Sequence, residues 1–319
     1  MRDKKMEQTA WKVLNELYRD ADQTMEQIAS ECRIDGSEAT EIRRQLEDRQ
    51  VIQGETPVIK PGALGFSVPS YHFIKTAENY DEVLEDGVGP FDMWNGSQLA
   101  SVVLGEHDLV LRKVSENGER FNNFANNLID SRDFPTIRDS SSYRVTERIR
   151  WHGQNVPGDQ IYGVDPVDLS PVDRDVLIEL QRDGALRDKP EQIAQSLDLS
   201  AGTVVDAVQR LEENVILGYS INTDLEAGGL HRAYLTLKTV RGGYDETVEA
   251  LREEPPLSAS YVVSGTGHEW SDLGVEIVFD SIDHLDRQTD RIRTVSGARE
   301  TRTFASTKTL YDSGTYDLN

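Results

Sequence analysis

The stretch "EQIAQSLDLSAGTVVDAVQRLEENVILGYSINTDLEAGGL" runs from Glu191 to Leu230, and its changing periodicity decides the fold. "EQIAQSL" has the length and pattern of a short helix. Ser200 closes the turn "DLS" and is a favoured N-cap, because its hydroxyl can accept from the first free amides of the next helix. In that helix Val204, Val208, Leu211 and Val215 recur at helical spacing and form one buried stripe. "ILGYSINTD" then alternates in the manner of a small hairpin. Upstream, "VDRDVLIELQRDG" sets Val172, Val176, Leu177 and Leu180 on one helical face. Three short helices and a hairpin make a winged helix-turn-helix.

The same plan occurs earlier in the chain. "EQIA" at 26–29 matches "EQIA" at 191–194, and the offset of 165 holds through "LE" at 46–47 and 211–212. After a one-residue slip, Val51-Ile52 aligns with Val215-Ile216 and Gly65 with Gly229. "IKTAENYDE" (74–82) then matches "LKTVRGGYDE" (237–246), and "VVLG" (102–105) matches "VVSG" (262–265). Agreement at so many separated places reads as an internal duplication. In the first copy the helices fall at Trp11 to Tyr18 and Met25 to Cys32, with Asp35 capping the third.

After each head the pattern runs strand, helix, strand, strand, helix, strand. In the second copy these are "HRAYLTLKTV", "DETVEALREE", "SASYVVSG", "DLGVEIVFD", "IDHLDRQTDRIRTV" and "RETRTFASTKTLYD". In the first they are "SYHFIKTA", "DEVLEDG", "LASVVLG", "DLVLRKVS", "ERFNNFANNLID" and "SYRVTERIRW". That order predicts a ferredoxin-like layer with two helices on one sheet face, the other face being covered by a like sheet. The fold class is therefore α+β, as two tandem units. Their bounds are a first head over 1–60, a first sensor over 61–152, a linker over 153–168, a second head over 169–224 and a second sensor over 225–319.

Composition narrows the partners. The 319 residues carry 57 acidic against 34 basic side chains, a net charge of −23, with arginine far ahead of lysine. Such acidity fits a protein kept hydrated in a salt-rich cytosol, with an ordinary acidic protein as the alternative. The heads differ: residues 1–60 hold 10 basic and 13 acidic groups, residues 165–224 hold 5 and 13. The first head repels a polyanion less. The single Cys32 excludes an internal disulfide and falls on a core position of its helix. No apolar run is long enough to span a membrane, and no signal peptide leads the chain, so a cytoplasmic location is expected.

The segment from "LSPVDRDVLIELQRDGA" through "GGL" resembles the Lrp/AsnC (feast/famine) transcription regulators, and "LGEHDLVLRKV" (104–114) resembles that family's sensor loop. The resemblance implies a DNA-binding regulator that responds to an amino acid or similar metabolite and is not an enzyme. It also implies sensor sheets that pair, as a pseudo-dimer within one chain or as a homo-oligomer. Double-stranded DNA is the expected partner and no cofactor is implied. The family's third helix is basic just before its Leu-Glu. Here the first copy has Arg43 and Arg44, flanked by Arg33 and Arg49, whereas the second has only Arg210 beside Asp206, Glu212 and Glu213. Candidate DNA contacts are therefore Arg33, Ser37, Arg43, Arg44 and Arg49 in the first head and Ser200, Thr203 and Arg210 in the second, the first being the better binder. The arginines could instead pair with Glu38, Glu41, Glu47 and Asp48 on a solvated helix.

The loops between the second and third sensor strands hold the candidate effector residues Gly105, His107, Asp108, Gly265, Gly267 and His268. Glycine lets a backbone approach a ligand or a neighbouring strand closely. These loops are expected to serve a small ligand or the assembly interface, with a plain hairpin turn as the alternative. A metal there is a weak signal. His72, His152, His231 and His284 share no spacing and read as surface or edge positions; Trp94 and Trp151 could stack a planar ligand, with aromatic packing at a sheet edge the commoner reason. Sirohaem decarboxylases share the head-plus-sensor layout and form the enzymatic alternative, although their Tyr/Arg/His-rich strand motifs are not found in this reading. A sensor whose heads no longer touch DNA is the third.

Overall fold

The computed structural model describes residues 6–76, 96–130, 137–156, 165–266, 272–296, 298–312, 315, 316 and 318. The first three helices are α1 (Gln8–Arg19), α2 (Met25–Cys32) and α3 (Gly36–Asp48), followed by strand β1 (Ile52–Ile59). Thr24 and Gln27 form a reciprocal capping box on α2, and Asp35 accepts from the Glu38 amide to start α3. Residues 171–223 repeat the order as α5 (Pro171–Arg182), α6 (Pro190–Leu197), α7 (Ala201–Asn214) and β7 (Ile216–Thr223), with α4 assigned below. Ser200 caps α7 through the Thr203 amide, and Val204, Val208, Leu211 and Val215 are all buried as the periodicity requires.

The segment expected to fold back as a hairpin does otherwise. β7 is a single strand, and it pairs antiparallel with β1 of the other half, from Ile52 opposite Thr223 to Ile59 opposite Ile216. Each strand thereby satisfies its ladder across the halves rather than within its own head. The two bundles share one hydrophobic core, in which Leu14, Leu17, Ile28 and Leu46 meet Val176, Leu180, Val204 and Leu211. Burial of each such side chain is worth about 1.5–3 kcal/mol. Cross-links reinforce the junction: the Ala21 amide donates to the Tyr219 carbonyl, and the Ser220 hydroxyl donates to the Tyr18 carbonyl.

The remaining strands form one sheet. They are β2 (Val68–Thr76), β3 (Ser97–Leu104), β4 (Leu109–Ser115), β5 (Ile137–Trp151), β6 (Gln154–Asn155), β8 (His231–Thr239), β9 (Tyr261–Thr266), β10 (Leu273–Phe279) and β11 (Ala298–Asp312). The sheet order is β2-β4-β3-β11-β8-β10-β9-β5-β6, and β5 also pairs with β2. Eight strands thus close into an antiparallel barrel, with β3–β11 and β5–β9 as the seams between halves. Closure leaves these eight strands without a free edge. The expectation was of one sheet face covered by a like sheet. Here the two sheets join edge to edge, so their inner faces enclose a common interior lined by Tyr71, Phe73, Leu99, Tyr143, Tyr234 and Phe304.

Outside the barrel lie α4 (Gly118–Asp130) on the first half, and α8 (Tyr244–Arg252) and α9 (Ile282–Ser296) on the second. The helix expected at "DEVLEDG" falls outside the described residues. No described helix is long and apolar enough to cross a membrane.

Candidate functional site

The heads place their cationic side chains against carboxylates. Arg43 donates to Glu47 and Glu55, at 2.9 and 3.1 Å. Arg44 forks between Glu41 and Asp48, each at 2.7 Å, and holds the Glu41 carboxyl down to about 2. Arg210 donates to Asp173 at 2.6 Å. Arg33 lies at the left-handed C-cap of α2 and Arg49 at the C-cap of α3, both exposed. Ser37 donates to Asp35, and Ser200 and Thr203 share a 2.8 Å hydrogen bond at the start of α7. A phosphate would have to displace Glu41 and Asp48 from Arg44, an exchange that exposed pairs permit. Glu55, on β1, also accepts from Arg187, whose guanidinium lies 3.9 Å from the Tyr219 ring centre. Glu55 therefore ties α3 to the second head.

The candidate effector loops pack within the barrel wall. Gly105 has φ +149°, and a Cβ there would meet the Phe304 ring at 3.0 Å. His107 is buried between Phe73 and Phe304, 5.8 Å from each ring, and burial pushes its imidazole pKa down. The Asp108 carboxylate accepts from the Thr76 amide and hydroxyl at 2.7 and 3.1 Å. Asp272 makes the matching clasp on Thr239, with both contacts at 2.8 Å. Gly265 sits where β9 crosses β5: a Cβ there would lie 2.3 Å from the Arg144 carbonyl oxygen. Gly267 and His268 lie outside the described residues.

A second group of polar side chains, which sequence reading passed over, meets inside the barrel. Glu276 on β10 is 1 % exposed. It accepts from the Tyr71 hydroxyl at 2.7 Å and from Arg112 at 2.8 Å. Arg232 Nε stands 3.7 Å from its other oxygen, and Arg232 Nη2 donates to Asp312 at 3.0 Å. The Arg112 guanidinium lies 4.1 Å from the Tyr261 ring centre, and that of Arg148 lies 3.2 Å from the Trp151 ring centre. Tyr261 shares a 2.8 Å hydrogen bond with His152, whose pKa falls to about 3 because its ring is shielded from water, with Arg112, Arg148 and Arg232 around it. His152 is therefore neutral at pH 7. The interior cavity beside Glu276, lined by Tyr71, Phe73, Tyr143 and Tyr234, holds about 20 Å³, room for one water.

One expectation about histidine is corrected here. His72 is buried rather than at the surface, beneath α4 between the Ser70 and Ser142 hydroxyls at 2.9 and 2.7 Å, while His152 is half-buried. The cluster was hard to see because its members come from β2, β4, β5, β8, β9, β10 and β11. The run "RIRWH" (148–152) was the one local signal for it. Trp151 packs inside this group, and Trp94 lies outside the described residues.

A larger space opens at the junction of the heads and the barrel. It is a cleft of about 530 Å³ lined by Leu64, Phe66, Glu116, Asp168, Arg174 and Leu318, among others. Its walls come from the exit of the first head, the end of β4, the start of α5 and the C-terminal tail. The volume is that of a small-molecule site. One cation, two carboxylates and five apolar side chains face it, counting Val167 and Leu169.

Comparison with known proteins gives a class for part of the chain. Residues 232–316 match the family model described as the Lrp/AsnC ligand binding domain. Among solved structures, the siroheme decarboxylase NirDL aligns with a TM-score of 0.55 at 13% identity, covering 95% of this chain and 92% of its own. Its complex with an iron-uroporphyrin III analogue aligns at 0.56 over the same shares. An AsnC family transcriptional regulator from Agrobacterium tumefaciens aligns at 0.38 and 20% identity, over 46% of this chain and 94% of its own. No curated protein matches the chain. The two NirDL alignments show a shared fold. The expectation of a non-enzyme is overturned, because structures of an enzyme, siroheme decarboxylase NirDL, align over 95% of this chain.

Proposed function

We propose that the chain is a ligand-sensing regulator of the Lrp/AsnC kind, built from two descended units. Each unit is a helix-turn-helix head, whose single wing strand pairs with that of the other head, followed by a ferredoxin-like sensor, with 153–168 as the linker. The junction cleft carries the reading. Its size suits an amino acid, with Arg174 for the carboxylate, Glu116 or Asp168 for the ammonium group, and Leu64, Phe66 and Val167 for an apolar side chain. A ligand there would touch the first head, the barrel and the second head together. Its binding could thus shift how the heads are presented. The heads would meet DNA through Arg33, Arg43, Arg44 and Arg49 with Ser37, and through Ser200, Thr203 and Arg210. Affinity would depend weakly on KCl in molar salt, where the Debye length is about 3 Å. The test is thermal shift against the set of amino acids, followed by capture of genomic fragments with and without the one that stabilises. Absence of any amino-acid-dependent shift would reject this reading.

A second reading is favoured by the buried Arg112, Arg148, Arg232 and Tyr261 with the half-buried His152. Arginines in a dry interior suit a polycarboxylate, and a neutral His–Tyr pair can hold the proton that replaces departing CO2 in a decarboxylation. This makes the chain an enzyme of the siroheme decarboxylase type. The cavity beside Glu276 has room for about one water, so in this reading a tetrapyrrole would bind elsewhere along the arginine cluster or widen that cavity. Siroheme added to the purified protein would then give a bound Soret band and a product lighter by CO2.

A further inference from the structure

The barrel is built from two halves with the same strand order, and their ladders define which positions correspond. In the first half Tyr71 on β2 stands opposite Arg112 on β4 and opposite Tyr143 on β5. In the second half Tyr234 on β8 stands opposite Glu276 on β10 and opposite Phe304 on β11. The clasps agree with this register, Thr76 with Asp108 in one half and Thr239 with Asp272 in the other. Arg112 and Glu276 therefore occupy equivalent places in the two halves. Across the barrel these two residues touch each other, at 2.8 Å, with 3 % and 1 % exposure.

We infer that this opposed pair selects the pairing partner: each half closes a barrel with the unlike half and not with its own kind. A barrel of two first halves would bring Arg112 against a second Arg112, and one of two second halves would bring two copies of Glu276 together. Like charges at that separation, away from water, repel strongly, whereas the unlike pair attracts. The neighbours follow the same division. Tyr71 donates to the Glu276 carboxylate, whereas its counterpart Tyr234 bonds the Ser101 hydroxyl at 3.0 Å. Tyr261 places a ring against Arg112, and the residue opposite Arg112 on β3 is Leu99. The inner surface of each half is thus shaped for its complement. The partner it fits is the other half, whether from the same chain or, by exchange, from a second chain.

The test uses full-length chains. Arg112→Glu and Glu276→Arg are made singly, combined in one chain, and co-expressed as two different chains. Alone, each single variant should lose the closed monomer, with Tm lower by at least about 5 °C or with aggregation. The combined variant should recover most of the lost Tm. The two single variants co-expressed should form a 1:1 dimer by exchange of halves, seen by light scattering and by native mass spectrometry of differently tagged chains. The inference is overturned if either single variant stays a monomer of unchanged Tm. It is equally overturned if neither the combined variant nor the co-expressed pair recovers. Loss in the singles with recovery in the combined variant alone supports it.

Discussion

Replacing Glu276 by Gln should be among the most damaging isosteric changes in the barrel. The amide can still accept from Tyr71 and Arg112, so shape and hydrogen-bond count are nearly kept, and only the charge is removed. Arg112 is then left with no carboxylate within reach, and Arg232 keeps only Asp312, a side chain 33 % exposed. A unit charge at about 4 Å is worth roughly 4 kcal/mol at an effective dielectric constant of 20. Stripping one partner from a buried pair costs about 3–5 kcal/mol. A loss of about 3 kcal/mol is expected, the low end, because the hydrogen bonds survive. Urea unfolding at pH 7, followed by far-UV circular dichroism and by Trp fluorescence, measures it as a lower midpoint with an unchanged slope. A change below about 0.5 kcal/mol would mean that water or another group already balances the arginines, and the electrostatic account of the barrel would fail.

Other perturbations have equally definite outcomes. Gly265→Ala forces a Cβ to within 2.3 Å of the Arg144 carbonyl oxygen and should cost about 3 kcal/mol, read as a Tm drop. Gly118→Ala, where a Cβ meets nothing within 4 Å, should leave Tm unchanged or slightly raised. Asp108→Asn and Asp272→Asn each break a charge-assisted clasp on a threonine and should each cost about 1.5–3 kcal/mol in chemical denaturation. Unequal losses would show that the two hairpins are not held alike. Acid should destabilise the protein in an early window. Burial lowers both His72 and His152 from 6.5 to about 3, so the unfolded chain takes up protons that the folded chain refuses. Stability is then full above about pH 6.5 and falls as pH drops toward 3, by about 2 kcal/mol for each histidine between pH 6.5 and 5. Denaturation midpoints at pH 7 and 5 that agree would contradict their burial in the neutral form. Arg44→Ala, which loses only exposed pairs, should leave the melting curve close to that of the parent while weakening DNA capture. Undiminished capture would move the DNA contact elsewhere.

Much of the helical part was legible because its determinants are local. Ser200 and Asp35 announce helix starts by hydroxyl and carboxylate capping, and Val204, Val208, Leu211 and Val215 announce a buried stripe by spacing alone. The strands of the second half were also readable, since "HRAYLTLKTV" and "DLGVEIVFD" carry dense β-branched residues. Pairing was not legible. "ILGYSINTD" alternates equally well as half of a hairpin or as a strand paired with β1, and only the shared core of the two bundles decides. Edge-to-edge closure of the barrel was hidden for the same reason, as period-two alternation states which face is inward and not what lies at the edge. The Glu276 cluster draws one or two residues from each of several strands, so no window of sequence contains it. The junction cleft is more dispersed still, since Phe66, Glu116 and Arg174 meet only after both heads have docked.

The most direct measurement is calorimetric titration of the stabilising amino acid into the full chain and into its Arg174→Ala variant. Binding at one site per chain, with the heat lost in the variant while its melting temperature is kept, is the predicted result. Unchanged binding in the variant, or no amino-acid binding at all alongside tight uptake of siroheme, would contradict the assignment of the cleft.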